Sequence, residues 1–246
     1  MRKPRYYYVT SFYHIMVQGD EKKFIFSNDE CKRKIIDLLK KNTKRNNIKL
    51  ISYCIMGNHY HALLYVPKIV NLSRMMCQTN TAYGKYYSKL RNNVGHVFRD
   101  RFRSESIYTK EHLLNCIKYI HANPVKANMC YAEEDYNYSS YNEFKNIGLD
   151  VINLCDLSAE DIKNILDASP TITMFIDYEY DLKDVVNYYN EISKEYDYII
   201  DKNKKTALLY EDIKKNCRAT DTIIAKLMKI DRKTLLRRLK NYGVKK

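Results

Sequence analysis

Stretches rich in aromatic and β-branched residues occur at four places in the first half of the chain. They cover residues 6–17, 48–56, 59–66 and 104–108, and each has the length and composition of a β-strand. The turn residues Gly57 and Asn58 separate the second stretch from the third, which predicts an antiparallel pair. Pro67 ends the third strand, because proline cannot donate a ladder hydrogen bond.

Apolar residues between these strands recur every three or four positions, the spacing of one helix face. One predicted helix starts at residue 28 with Ser27 as its cap and fades near residue 46, and a second covers residues 71–91. A third starts at Lys110 after the cap Thr109 and is expected to end by residue 123, before Pro124. Strands and helices in this order predict an α+β sandwich that closes near residue 145.

Charge divides the chain into three blocks. Residues 1–147 contain 25 lysines and arginines against 12 aspartates and glutamates, residues 148–203 contain 4 against 13, and residues 206–246 contain 12 against 4. We therefore predict a first domain over 1–147, an acidic connecting region over 148–205 with helices near 159–166 and 182–198, and a basic helical region over 206–246. Two basic blocks indicate a polyanionic partner such as nucleic acid, although a lysine-rich genome would produce the same composition.

Several classes of protein are disfavoured by composition. No apolar run approaches the roughly 18 residues that span a bilayer, so we predict no membrane partner. The basic and aromatic N-terminus differs from a signal peptide, and the seven scattered cysteines include no CxxC pair. We expect a cytosolic protein with reduced cysteines.

A pair of histidines occupies alternate positions of the third strand. His59 and His61 point to the same face, because successive strand residues alternate between faces. Such a pair is structural more often than not. Two imidazoles are too few for a closed structural zinc site, which uses four protein ligands, so a metal ion bound here would keep open positions for catalysis.

The third predicted helix places a phenol beside an amide. Tyr119 and Asn123 are four residues apart and share one face, with His112 two turns earlier. Any one of the 24 tyrosines is structural by default, so only its neighbours single out Tyr119. The amide oxygen of Asn123 could complete a metal site shared with the histidines.

These motifs together resemble a known family, the single-tyrosine HUH transposases of the IS200 type, and within it the REP-associated tyrosine transposases. The resemblance covers roughly residues 1–145. It rests on Met56-Gly-Asn-His-Tyr-His-Ala-Leu-Leu64, Tyr119-Ile-His-Ala-Asn-Pro-Val-Lys-Ala127 and Tyr138-Ser-Ser-Tyr141, with support from residues 13–19 and 97–104. Tyr60 departs from the family pattern, which usually has an aliphatic residue between the histidines.

The resemblance implies a ferredoxin-like antiparallel sheet with packed helices, followed by a small helical region. It implies that His59, His61 and Asn123 bind a divalent ion, Mg²⁺ or Mn²⁺, and that Tyr119 attacks a phosphodiester of single-stranded or hairpin DNA. The product would be a 5′-phosphotyrosine and a free 3′-hydroxyl. Relatives of this kind act as monomers or as homodimers, and both remain open here.

Basic residues in two regions, together with Lys126, are predicted to contact DNA. Residues 219–240 resemble a helix-turn-helix, with a plain basic helical hairpin as the alternative. After Phe98, three arginines alternate with Asp100 and Phe102, an arrangement that suits phosphate contacts and base stacking, with a solvated strand or loop as the alternative. The predicted DNA-binding residues are Arg99, Arg101, Arg103, Lys126, Arg232, Lys233, Arg237 and Arg238.

Two other functions remain open from the sequence. The chain could be an HUH-fold regulator that binds DNA without cutting it, although the complete set of His59, His61, Tyr119 and Asn123 argues against this. It could also be a replication initiator or relaxase with the same chemistry. The Asn-Pro-Val-Lys sequence beginning at Asn123 favours a transposase.

Overall fold

The computed structural model describes residues 10–92, 95–167, 182–216 and 219–244. The strands are β1 (Phe12–Gln18), β2 (Lys49–Ile55), β3 (His59–Tyr65) and β4 (Arg103–Ile107). The helices are α1 (Asp29–Arg45), α2 (Ile69–Arg91), α3 (Lys110–Lys126), α4 (Tyr141–Phe144), α5 (Leu149–Cys155), α6 (Ala159–Asp167), α7 (Leu182–Glu195), α8 (Lys202–Asn216), α9 (Asp221–Leu227) and α10 (Arg232–Tyr242). The start of the first predicted strand, residues 6–9, lies outside the described residues.

The four strands form one antiparallel sheet in the order β2-β3-β1-β4. The chain order β1-α1-β2-β3-α2-β4 makes this a ferredoxin-like sheet, as the sequence predicted. The hairpin predicted around Gly57 and Asn58 is present, since Ile55 pairs with Tyr60 across it. Beyond the outer edge of β2, Ile55 N donates to Tyr138 O at 2.9 Å and Ser140 N donates to Tyr53 O at 2.9 Å.

Side chains on one face of the sheet lie under α1 and α2. Tyr60 is fully buried there, with its ring edge-on to Phe26 at 5.9 Å between centroids. Its hydroxyl donates to Asn80 Oδ1 of α2 at 3.3 Å. A tyrosine between the two histidines is therefore accommodated, because both its ring and its hydroxyl have partners.

The cap of α1 and the end of α3 differ from the prediction. The cap of α1 is Asn28 and not Ser27: Asn28 has an extended backbone, and its Oδ1 accepts from Cys31 N at 2.8 Å. Helix α3 continues past Pro124 to Lys126. Proline removes its own N–H from the helical ladder and crowds the carbonyl four residues back, and the helix continues for only two residues beyond it.

The described residues form two compact units. One comprises the residues up to Asn123 together with those from Tyr136 to residue 167, and it contains the sheet. The other comprises Pro124–Asp135 and residues 182–216 and 219–244. In neither unit is a described helix long and apolar enough to cross a membrane. The functional division predicted at residues 147 and 205 stays a prediction.

Candidate active site

The face of the sheet opposite Tyr60 contains both histidines of β3. His59 and His61 are fully buried, and their rings are perpendicular with centroids 5.0 Å apart. In the register of β3 with β1, Gln18 lies opposite His59 and Met16 lies opposite His61. The predicted shared direction of the two imidazoles is therefore observed.

The orientation of His59 is fixed by the turn that precedes it. His59 Nδ1 lies 2.7 Å from Asn58 Oδ1, and because an amide oxygen only accepts, the imidazole proton belongs on Nδ1. Gly19 N donates to Asn58 O at 2.8 Å and so holds the turn against the end of β1. A Cβ on Gly19 would lie 2.3 Å from Lys23 O, so this close approach requires glycine.

Helix α3 places Tyr119 against the histidine face of the sheet. The Tyr119 ring lies edge-on to His61, with centroids 5.7 Å apart, and edge-on to His14 of β1 at 5.9 Å. Tyr119 is only 1% exposed. The structure thus brings Tyr119 together with His59 and His61. Because the phenol is buried, a phosphate can reach it only after the side chains that cover it move.

Asn123 lies one helical turn beyond Tyr119, as its spacing predicted. It is buried, and its Nδ2 donates to the Tyr119 backbone carbonyl at 2.9 Å. That hydrogen bond uses the amide nitrogen and orients the side chain along α3. The amide oxygen is the atom that a metal ion would use.

A third histidine belongs to this cluster and was not assigned a role from the sequence. His14 Nε2 lies 3.0 Å from His61 Nδ1, and His14 Nδ1 lies 3.5 Å from Glu105 Oε2. The only sequence signal was the position of His14 in the stretch 13–19. Its meeting with His61 depends on strand register, which local patterns do not specify.

His121 and Ser140 anchor α3 beyond the candidate nucleophile. His121 Nε2 lies 2.9 Å from Ser140 Oγ, and that oxygen also accepts from Tyr53 N at 2.9 Å. Burial lowers the pKa of His121 to about 3, so the ring is neutral at ordinary pH. Ser140 belongs to the Tyr138–Tyr141 motif, whose part in the structure is to join α3 to the edge of β2.

A thiol on the same helix is a poor rival nucleophile. Cys116 of α3 is fully buried, and burial, with a smaller contribution from the charge of Glu105, raises its thiol pKa well above the ordinary value. Cysteine attacks as the thiolate. The Cys116 side chain therefore stays protonated and unreactive.

The residue types on the histidine face of the sheet and on α3 suit a divalent ion with open coordination positions. No group of three His, Cys, Asp or Glu side chains suited to a metal ion occurs in the described parts of the chain. Two imidazoles and one amide oxygen would leave positions for phosphate oxygens and water. Next to them, the buried Asn58 Nδ2 makes no hydrogen bond to any described residue, which suits an acceptor that arrives with the substrate.

The predicted DNA-binding residues are mostly exposed. In the sheet unit Arg99, Arg101 and Arg103 are exposed, with Phe102 buried between the last two. The other unit contains the remaining five, and α9 and α10 lie where the helix-turn-helix was predicted. There Lys126, Arg232, Lys233 and Arg237 are exposed, whereas Arg238 is half-buried and donates to Thr206 Oγ1 at 3.2 Å.

Comparisons with known proteins bear on the family and the fold of this chain. Residues 7–123 match the family model described as "Transposase IS200 like". No curated protein matches the chain. A solved structure of a REP-associated tyrosine transposase bound to a REP hairpin is similar at 15% identity, with a TM-score of 0.54 over 74% of this chain and 99% of that one. A candidate transposase from Deinococcus radiodurans is similar at 16% identity, with a TM-score of 0.35 over 46% of this chain and 91% of that one.

The sheet unit therefore has the fold of the HUH transposases. Its segment 7–123, which contains both histidines, Tyr119 and Asn123, belongs to the IS200-like transposase family.

Replacing His121 by glutamine should change how stability depends on pH. Because the folded-state pKa of about 3 lies below the unfolded value near 6.5, the unfolded state binds one more proton between these values. His121 thus makes unfolding easier as pH falls through that window, by about 1.4 kcal/mol per pH unit. His121→Gln should remove this part of the slope.

The slope of the unfolding free energy against pH is measured by urea unfolding of the full chain between pH 4 and 6.5, monitored through the amide signals of β2 and β3. His96→Gln is the control, because His96 is exposed. An equal slope in wild type and His121→Gln would show that His121 is protonated in the folded protein.

Proposed function

We propose that this protein is a metal-dependent DNA transposase that cleaves and rejoins single-stranded DNA with Tyr119 as its nucleophile. The observation that carries the proposal is the packing of the Tyr119 ring against His61 of the histidine pair, at 5.7 Å between centroids. A phenol beside two imidazoles of one strand is the combination that a metal-assisted phosphoryl transfer requires. Membership of segment 7–123 in the IS200-like family supports it.

His59, His61 and Asn123 would hold the ion, which we propose to be Mg²⁺ or Mn²⁺. Imidazole nitrogen suits Mn²⁺ better than Mg²⁺. A bound divalent ion supplies positive charge that stabilises the non-bridging oxygens of the scissile phosphate. Asn58 Nδ2, buried beside His59, would donate a hydrogen bond to one of those oxygens.

Tyr119 Oη would lose its proton and form the new bond to phosphorus, while the bond to the 3′ oxygen breaks and that oxygen takes up a proton to leave as a hydroxyl. The 5′ end of the DNA then remains on the enzyme as a phosphotyrosine ester, which retains the energy of the broken phosphodiester. Attack by a 3′-hydroxyl on that ester reverses the step and joins strands. Because Tyr119 is buried, DNA binding would have to uncover its hydroxyl before the first attack.

The DNA substrate is proposed to include a hairpin. The structurally similar REP-associated transposase is bound to a REP hairpin. The exposed arginines at 99, 101 and 103 would contact phosphates beside the site, and the basic α9–α10 region would add a second contact surface. A protein that binds such DNA without forming an adduct would instead be a regulator with an inactive nuclease fold.

Tyr119→Phe should abolish formation of the covalent protein–DNA adduct and change DNA affinity little. The substitution removes one oxygen and keeps the buried ring. The measurement is denaturing gel electrophoresis of the full chain after incubation with a labelled single-stranded hairpin and Mn²⁺. Tyr108→Phe and Tyr131→Phe are matched controls, since both tyrosines are exposed, at 56% and 85%. An adduct that persists in Tyr119→Phe places the nucleophile elsewhere.

His59→Ala and His61→Ala should each weaken Mn²⁺ binding by more than about 100-fold. Replacing a residue that only contacts a metal ligand typically costs about 10- to 100-fold, and loss of the ligand itself should cost more. Each variant leaves too few protein donors to hold the ion. Calorimetric titration of the full chain measures the affinity, and the exposed His96→Ala is the control. Wild-type affinity in both variants would mean that the two histidines are structural.

Neutralising the exposed basic residues of α10 should weaken DNA binding and flatten its salt dependence without affecting chemistry. Deleting residues 206–246 would cut through α8, so Arg232→Gln, Lys233→Gln and Arg237→Gln are combined instead. Each lost phosphate contact lowers the slope of log affinity against log salt by about 0.7 to 0.9, so the triple variant should lose roughly 2 to 3.

The matched control neutralises three exposed residues of α1, namely Lys41, Lys44 and Arg45. Fluorescence anisotropy at several salt concentrations gives the slopes. If the two triple variants lose the same slope, net charge alone accounts for the effect and α10 is no DNA contact.

A further inference from the structure

His14 of β1 makes a direct nitrogen-to-nitrogen contact with His61. The strand register puts Met16 opposite His61, so His14 projects from the same face of the sheet. The two rings are within 23° of parallel, with centroids 5.1 Å apart and His14 Nε2 3.0 Å from His61 Nδ1. Rings that meet edge to edge in this way suit an N–H···N hydrogen bond, because the proton and the lone pair of imidazole both lie in the ring plane.

Glu105 of β4 lies on the other side of His14. It is the partner of His14 in the β1–β4 register, and its Oε2 lies 3.5 Å from His14 Nδ1. Three adjacent strands thus contribute one polar group each to a line that runs from Glu105 through His14 to His61. The Glu105 side chain is 27% exposed and both histidines are fully buried, so the line leads from the surface into the site.

The carboxylate determines which nitrogen of each histidine holds the proton. A neutral imidazole has one N–H and one lone pair, and a carboxylate only accepts. The His14 proton is therefore favoured on Nδ1, since a lone pair there would face the negative charge even at this long distance. His14 Nε2 must then accept, so His61 donates from Nδ1 and has its lone pair on Nε2.

We infer that Glu105 and His14 are positioning residues that hold His61 in the tautomer whose Nε2 can bind a metal ion. The inference rests on the proposed function for the identity of His61 as a ligand. The tautomer itself is a property of the metal-free protein. A ligand histidine whose other nitrogen is hydrogen-bonded binds metal more tightly, because its ring orientation and tautomer are already set.

The two histidines of β3 are oriented by different means. His59 uses its sequence neighbour Asn58, at 2.7 Å, so its tautomer is set within the turn. His61 uses residues 47 and 44 positions away along the chain, on β1 and β4. If His14 were purely structural, any side chain of similar volume could replace it. The nitrogen of His61 that holds the proton would then not depend on His14.

Nitrogen NMR of the full chain without metal tests the tautomer. Long-range proton–nitrogen correlation of ¹⁵N-histidine protein distinguishes a protonated ring nitrogen from one with a lone pair. We expect His61 with its proton on Nδ1 in the wild type and a shift of its population toward Nε2–H in Glu105→Ala. Glu111→Ala, which removes an exposed carboxylate of α3, should leave the tautomer unchanged. A wild-type His61 protonated on Nε2 would overturn the inference.

Calorimetric titration of the same proteins with Mn²⁺ tests the consequence. Glu105→Ala and His14→Leu should weaken binding about 10- to 100-fold, the range for partners of metal ligands. Glu111→Ala should stay near the wild-type affinity. His14→Gln retains an acceptor near the Nε2 position, so it should bind more tightly than His14→Leu and should depend less on Glu105 when the two changes are combined.

The two proposals fail in different ways. If His61→Ala weakens Mn²⁺ binding while Glu105→Ala and His14→Leu do not, the metal site stands and the positioning role is wrong. If His61→Ala itself leaves binding unchanged, the proposed metal site is wrong and the positioning role fails with it. Equal affinities for His14→Gln and His14→Leu would reduce His14 to a packing residue and would also overturn the inference.

Discussion

The contact between α3 and the histidine face of the sheet is the interaction on which the rest of the site depends. Helices α1 and α2 cover the Tyr60 face, so the opposite face is where a further helix can bring a reactive group. Helix α3 places Tyr119 there, against His61 and His14, and the bond between His121 and Ser140 fixes its far end to the edge of β2. Sheet, helix and edge segment together determine where the phenol lies.

Buried polar groups on this face are expensive and therefore informative. Burying an imidazole or an amide costs free energy unless hydrogen bonds replace its contacts with water. Apolar side chains of similar size at positions 14, 58, 59 and 61 would cost less free energy to bury. Under the proposed function, Asn58, His59 and His61 would use their donor and acceptor atoms to bind an ion and a phosphate, while His14 contacts His61.

Much of the fold and the site follows from local patterns in the sequence. The two-residue period of β3 correctly predicted that His59 and His61 share a face, and the four-residue spacing placed Asn123 one turn after Tyr119. Strand and helix boundaries came within a few residues, except that a proline did not end α3. The cap of α1 moved by one residue because Asn28 and Ser27 are both good caps, and only the backbone conformation decides between them.

The contacts of His14 could not be predicted from local patterns, because they depend on the register between strands that are distant in the sequence. The meeting of His14 with His61, and of Glu105 with His14, follows from how β1 aligns with β3 and β4. A shift of one residue would turn these side chains to the other face. The burial of Tyr119 likewise depends on tertiary packing. The roles of the basic residues in the second unit remain predictions from charge and helix spacing.

Identifying the amino acid that is joined to DNA tests the role of Tyr119 most directly. The covalent adduct formed by the full chain on a single-stranded hairpin is purified, digested with trypsin and sequenced by mass spectrometry. We expect a nucleotide phosphate on the tyrosine of the peptide spanning residues 119–126. A modified peptide that contains Tyr108 or Tyr131 and an unmodified 119–126 peptide would contradict it.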